Sequence, residues 1–438
     1  MKPELWGTLR AKYETERPRR MLSLDGGGIR GLITLGVLEN IEAILRDATG
    51  EGDSFRLGEW FDYIGGTSTG AILAAALARG MTVAELIDFY VSTGPEMFEK
   101  NRLLQRFWSL YKSDPLKDKL QQVMNQPRKG DPPGVGDKDL DLSPDYLRCL
   151  LLVVTRNATT DSPWPVSSHP EAKYNAPDRK DCNLRIPLWR LVRASTAAPV
   201  YFPPEILNWD PSDPEKSFVF VDGGMTPYNN PSFLLYRMAT QEPYRLRWKT
   251  GEKNLLLISV GTGEAERLGP STLDAQTNLV GNVAAIPGNL MNAMSIDQDL
   301  NCRTVGRCTH GSVIDRELLD LICRESQDDL TLERITKAPS IPLERDLGRA
   351  FLYARYNADL SQKGLEAIGL GNLKPDEVQK LDAINQIDNL LAIGRAVGQD
   401  IKAEHFGGFP KPVYAVANAP VSSARFSARA GTLPGHTP

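Results

Sequence analysis

The chain has 438 residues, 41% hydrophobic and 24% charged, the balance of a folded protein with a sizeable core, which excludes a disordered chain. Its charge sums to −4, so no whole-chain basic field attracts a nucleic-acid polymer. The longest apolar runs, at 71–78 and around 150–154, fall far short of the roughly 20 residues of a spanning helix.

The first 20 residues, MKPELWGTLRAKYETERPRR, read as a polar arm with no apolar stretch of the kind that directs secretion. Residues 21–25 (MLSLD) predict a strand that runs into Gly26, Gly27 and Gly28 and then into a helix through Arg46. Residues 60–64 predict a second strand, followed by a glycine-containing turn at 65–70 and an apolar helix at 71–79. Three more short apolar runs, at 150–155, 217–222 and 255–260, each end in turn-forming residues. Strands alternating with helices predict an α/β fold, a mainly parallel sheet sandwiched between helices. Loops are expected at 125–144, which contains GDPPGVG, and at 161–183, rich in Pro, Ser and Asp. From 270 to 408 the pattern is helical with no strand rhythm, and the Ala-, Ser-, Gly- and Pro-rich stretch from 413 frays. The expected organisation is an arm at 1–20, an α/β domain at 21–265, a mostly helical C-terminal region at 266–412 and a flexible tail at 413–438.

Residues 66–70 read GTSTG, a G-x-S-x-G pattern between a predicted strand and a predicted helix. That context suits a nucleophile elbow, with Ser68 at the apex of a sharp turn and the helix N-terminus behind it. An ordinary glycine-rich turn fits the same five letters. Residues 25–31 read DGGGIRG. Successive glycines before a helix expose backbone N–H groups to an anion, as the oxyanion of acyl transfer requires. No G-K-[ST] follows, so the run is not a P-loop. Arg30 either supports this loop or meets a substrate phosphate, or is a plain surface arginine; Asp25 suits loop bracing. Asp222 ends the run FVFVD before Gly223 and Gly224. It could serve as general base if it lies within hydrogen-bond reach of Ser68, or be a turn aspartate.

DGGGIRG at 25–31, GTSTG at 66–70 and DGG at 222–224 resemble, in the same order, the blocks of patatin-like phospholipases. ASTAAPVYFPP at 194–204 and LLLISVGTG at 255–263 are similar to the same family. The resemblance implies a modified α/β-hydrolase fold, with 21–265 as catalytic domain, and a Ser–Asp dyad. It assigns Ser68 as nucleophile, Asp222 as base, Gly26, Gly27 and Gly28 as the oxyanion loop and Arg30 as that motif's arginine. It implies a lipid acyl hydrolase of phospholipase A type that needs no metal or other cofactor. A triad of Ser68, Asp222 and His310 would also obey the α/β-hydrolase order. An acyltransferase or general lipid esterase on the same scaffold, or a dead scaffold that only binds, are the rivals.

Within 97–112, Leu103, Leu104, Phe107, Trp108 and Tyr111 share a helical face beside basic residues. This suits a lid with Phe107 and Trp108 on a phospholipid membrane surface, or a helix packed on the sheet. Residues 351–357 read FLYARYN. Tyr353, Arg355 and Tyr356 could stack on a base and grip a phosphate, or simply pack in a helix. Some bacterial members of the resembled family are anti-phage effectors switched on by a cyclic dinucleotide, so such an activator is expected as a partner. Cys302, Cys308, His310 and Cys323 match no zinc spacing and are expected to be incidental. Five cysteines without a pattern predict reduced thiols and a cytoplasmic protein that meets membranes peripherally.

Overall fold

The computed structural model describes residues 2–98, 115–199, 202–210, 213–264, 279–312 and 348–410. One mixed sheet organises them, in the order β5-β6-β3-β2-β1-β7-β9-β8, with β4 paired to β3. Its strands are β1 (Arg19–Leu24), β2 (Tyr63–Thr67), β3 (Leu150–Asn157), β4 (Ser162–Ser167), β5 (Glu205–Asn208), β6 (Ser217–Asp222), β7 (Leu255–Val260), β8 (Arg307–His310) and β9 (Leu352–Tyr356). The run β3-β2-β1-β7-β9-β8 is parallel throughout, whereas β6 pairs antiparallel with both β3 and β5.

Every residue of β1, β2, β7 and β9 is buried, so this part of the sheet needs cover on both faces. Helices α1 (Gly31–Thr49), α2 (Thr69–Ala78) and α4 (Leu188–Ser195) pack on one another and on the sheet, joined by α3 (Val83–Phe98) against α1. Helices α5 (Ser232–Thr240) and α6 (Leu279–Val305) form the second group, lying on β1, β7, β8 and β9. Helix α7 (Ile387–Gly398) packs along α1. Helix α2 is buried at every position and carries no polar face, the pattern of an element enclosed on all sides.

Three expectations change. The arm is part of the fold: Trp6, Leu9 and Tyr13 are buried, and the Tyr13 hydroxyl donates to the Asp62 carbonyl and accepts the Leu150 N–H. The stretch at 161–183 is not all loop, because β4 occupies its start; two prolines in SPWPVS are tolerated at a strand with only one neighbour. The C-terminal region is mostly helical among the described residues, yet it supplies two strands. β9 extends the sheet from β7, and β8 closes its edge. The loop at 125–144 is pinned by Asp131, which bridges the buried Arg79 at the end of α2 and Arg148. No helix of the described residues is long and apolar enough to cross a membrane. The tail at 413–438 lies outside the described residues.

Candidate active site

Two strand registers bring Ser68 and Asp222 together. On one side of β3, Thr67 pairs with Val154; on the other, Thr155 pairs with Asp222. Ser68 follows Thr67, so it and Asp222 flank the same row of β3. The Ser68 hydroxyl donates to Asp222 Oδ2 at 2.6 Å. β6 runs antiparallel to β3 but overlaps only its last three residues, Thr155, Arg156 and Asn157, so Asp222, where β6 ends, stops at the C-terminal edge of the parallel strands.

The elbow is real. Ser68 has φ of +55°, in the left-handed region that non-glycine residues rarely enter, so the turn stores strain at the serine. The turn also needs Gly66, where a Cβ would come within 2.0 Å of the Gly70 carbonyl oxygen. Helix α2 begins one residue after the serine and points its N-terminus at it. The Ser68 N–H is donated to Ser195 Oγ at 2.9 Å, and that hydroxyl donates to the Val154 carbonyl at 2.6 Å. Ser195 thereby ties the elbow to β3.

Asp222 is buried, and loss of water pushes its carboxyl up to about 6. The Ser68 hydroxyl, the Gly224 N–H on Oδ1 at 2.7 Å and the charge of buried Arg193 oppose that rise. A carboxylate with this affinity for protons can accept one from a serine near neutral pH.

The glycine loop lies beside the elbow; a Cβ on Gly26 would stand 3.2 Å from Ser68 Cβ. The three glycines are not equivalent. Gly26 donates its N–H to the Asn229 carbonyl at 3.1 Å, while its own carbonyl accepts the Thr262 hydroxyl at 2.8 Å. Its donor is thus committed to the fold, a correction to an oxyanion loop of three donors. The N–H groups of Gly27 and Gly28 have no protein acceptor among the described residues. Gly28 has φ of +61°, and a Cβ there would come within 2.3 Å of the Leu381 carbonyl. Half-buried Arg30 donates to the Gly263 carbonyl at 3.1 Å and so supports the loop.

Other candidates are displaced. His310 ends β8, four strands from β2 in the sheet order, which is about 19 Å at the usual strand spacing. It stacks on Tyr356 and His405 and is not a triad member. Tyr353, Arg355 and Tyr356 are buried on β9 rather than displayed on a helix. Tyr353 donates to Asp299, Arg355 grips Asp25, and Tyr356 bonds His405. The polar groups of all three are engaged within the protein. Phe107 and Trp108 lie outside the described residues, as does Cys323. Cys302 and Cys308 are buried and form no disulfide, and no cluster able to hold a metal occurs among the described residues. Asn229, Ser195, Thr262 and Arg355 escaped the sequence reading as parts of the site. Ser195 and Thr262 stand inside recognised blocks, but nothing local marks Asn229.

A patatin-like phospholipase family model matches residues 22–235, which include both Ser68 and Asp222. The cGAMP-activated phospholipase of Vibrio cholerae serotype O1 is 30% identical over 336 residues, 72% of this chain and 85% of that protein. Patatin-17 of Solanum cardiophyllum is 30% identical over 257 residues, 56% of this chain, and the chain spans 60% of its length. Among solved structures, VipD from Legionella pneumophila aligns over 86% of this chain and 67% of that one, at 12% identity and a TM-score of 0.31.

Proposed function

Because the chain belongs to the patatin-like phospholipase family, we propose that it hydrolyses fatty-acyl esters of membrane phospholipids through an acyl-enzyme on Ser68. The 2.6 Å bond from the Ser68 hydroxyl to Asp222, on a strained elbow, carries this reading. In the first half-reaction the Ser68 oxygen attacks the ester carbonyl while Asp222 Oδ2 takes its proton. The carbonyl π pair moves onto oxygen, which the Gly27 and Gly28 N–H groups receive. One such donor is worth roughly 3–4 kcal/mol in other hydrolases. The tetrahedral carbon then expels the lysophospholipid alkoxide, which takes the proton back from Asp222. In the second half-reaction water replaces the serine as nucleophile, Asp222 again accepts the proton, and the freed acid leaves Ser68 restored.

The rim suits a lipid. Met225, three residues beyond Asp222, and Leu290, next to the Met291 whose Cε a Cβ on Gly224 would meet at 3.1 Å, are exposed apolar side chains. Docking at a phospholipid surface from the cytoplasmic side belongs to the proposal. A cyclic dinucleotide is the proposed activator, on the strength of the Vibrio relative, whose name records activation by cGAMP. An enzyme that destroys membrane lipid only on such a signal suits defence against phage.

The test is hydrolysis of a fluorogenic phospholipid in vesicles, by wild type and Ser68→Ala, with and without a panel of cyclic dinucleotides. Release of free fatty acid by wild type alone is expected, increased by one of the dinucleotides. No release under any condition overturns the enzymatic reading. Equal rates across the panel remove the activator.

A further inference from the structure

The Asp25–Arg30 loop is held from both ends by residues beyond position 350. At its start, Arg355 of β9 grips Asp25 with both prongs, Nη1 to Oδ1 at 3.0 Å and Nη2 to Oδ2 at 2.6 Å. Arg355 is 3% exposed and also donates to the Ser259 hydroxyl at 2.7 Å, so its fork is fixed in direction as well as charge. Asp25 is the residue immediately before Gly26, and its own N–H is donated to the Val260 carbonyl at 3.1 Å. At the far end, the Ile29 N–H is donated to the Leu381 carbonyl at 3.0 Å. Between them stand Gly27 and Gly28, the two glycines with uncommitted N–H groups. A cavity of about 110 Å³ is lined by Asp25, Arg30, Glu264, Arg355, Asn357 and Leu381 among others.

The physical stakes are high because an oxyanion donor acts only when it is already aimed at the place where charge develops. Glycines supply no side-chain packing to hold their own amides. Their direction is set by what fixes the residues on either side. A carboxylate at 3% exposure would, without its guanidinium, be left charged in a poor solvent or would take up a proton. Either outcome removes the two charge-assisted bonds that orient the loop.

We propose that Arg355 is a positioning residue for the oxyanion loop: through Asp25 it aims the Gly27 and Gly28 amides, and the C-terminal half of the chain is thereby required for transition-state stabilisation at Ser68. Arg355 touches neither Ser68 nor Asp222, and it lies outside the residues matched by the family model. The inference rests on the acyl-hydrolase reading.

The test uses the full chain, p-nitrophenyl butyrate as a soluble ester, and a trifluoromethyl ketone, whose hemiketal oxyanion occupies the same donors. In Arg355→Met, kcat is expected to fall roughly 10- to 100-fold, less than the 10²–10³ of deleting a donor outright. KM is expected to stay within about twofold, because ground-state binding is untouched. The inhibition constant for the ketone should weaken by the same factor as kcat. Arg355→Lys should recover part of both losses. Asp25→Asn, which attacks the pair from the loop side, should reproduce the Arg355→Met pattern and serves if that variant does not fold. Tyr353→Phe removes the neighbouring bond to Asp299 without touching Asp25, and should leave both constants unchanged.

A merely structural arginine lowers the number of active molecules, so kcat falls while the ketone binds the survivors as tightly as wild type. That result, or wild-type kcat in Arg355→Met, overturns the proposal. A wild type that stays inert and ignores the ketone with each dinucleotide of the panel present instead overturns the acyl-hydrolase reading.

Discussion

The Ser195 hydroxyl accepts the Ser68 N–H and donates to the Val154 carbonyl, so one small side chain clamps the elbow to the neighbouring strand. Ser195→Ala removes a hydrogen-bond partner from both groups. The expected loss is about 1–3 kcal/mol of stability, read by urea denaturation, together with a fall in kcat as the elbow relaxes. Unchanged stability and unchanged kcat would show that the clamp is dispensable.

Ser68→Ala and Asp222→Asn each remove one half of the dyad. Ester hydrolysis by either is expected to fall on the order of 10⁴-fold or more, with the folded spectrum retained. His310→Ala should keep most activity, because the histidine sits at the opposite side of the sheet from Asp222. Steady-state rates with purified variants decide; loss in the histidine variant would restore the triad.

The raised carboxyl of Asp222 gives activity a pH limb. In the proposed mechanism Asp222 accepts a proton only when deprotonated, so kcat/KM should rise through about pH 6 and level above it. Stability runs the other way. Burial raises this carboxyl above its unfolded value, so the folded state binds the proton more tightly and gains from this group as pH falls through about 6. A rate profile centred near pH 4 would place Asp222 in open solvent instead.

Asp131 neutralises two arginines at once, Arg79 at 2.7 Å and Arg148 at 3.1 Å, with Arg79 fully enclosed. Asp131→Ala is expected to cost about 3–5 kcal/mol, the penalty for stranding a buried charge. Arg79 lies just beyond the end of α2 remote from the nucleophile. Molecules that still fold should therefore hydrolyse ester at the wild-type rate, as active-site titration combined with thermal melting can check.

The site was legible where its chemistry is local. DGGGIRG, GTSTG and DGG each encode a turn within a few residues, and the strands before them are short apolar runs. What escaped depends on partners far along the chain. β9 reads poorly as a strand because Arg355 interrupts its apolar face, and partners far along the chain, Asp25 330 positions away and Asp299 beside it, make that charge tolerable there. Trp6, Leu9 and Tyr13 have helical spacing, but the charges between them hide it. The commitment of the Gly26 amide follows from the Asn229 carbonyl, which no local pattern places next to it.

The placement of β9 against β7 has a practical consequence. β7 reads LLLISV and is buried along its whole length, with β1 on one side and β9 on the other. A polypeptide cut soon after Val260 would present that greasy border, its amides and carbonyls unsatisfied, to any similar molecule nearby. Such a fragment would carry every recognisable motif and still come out of the cell as aggregate.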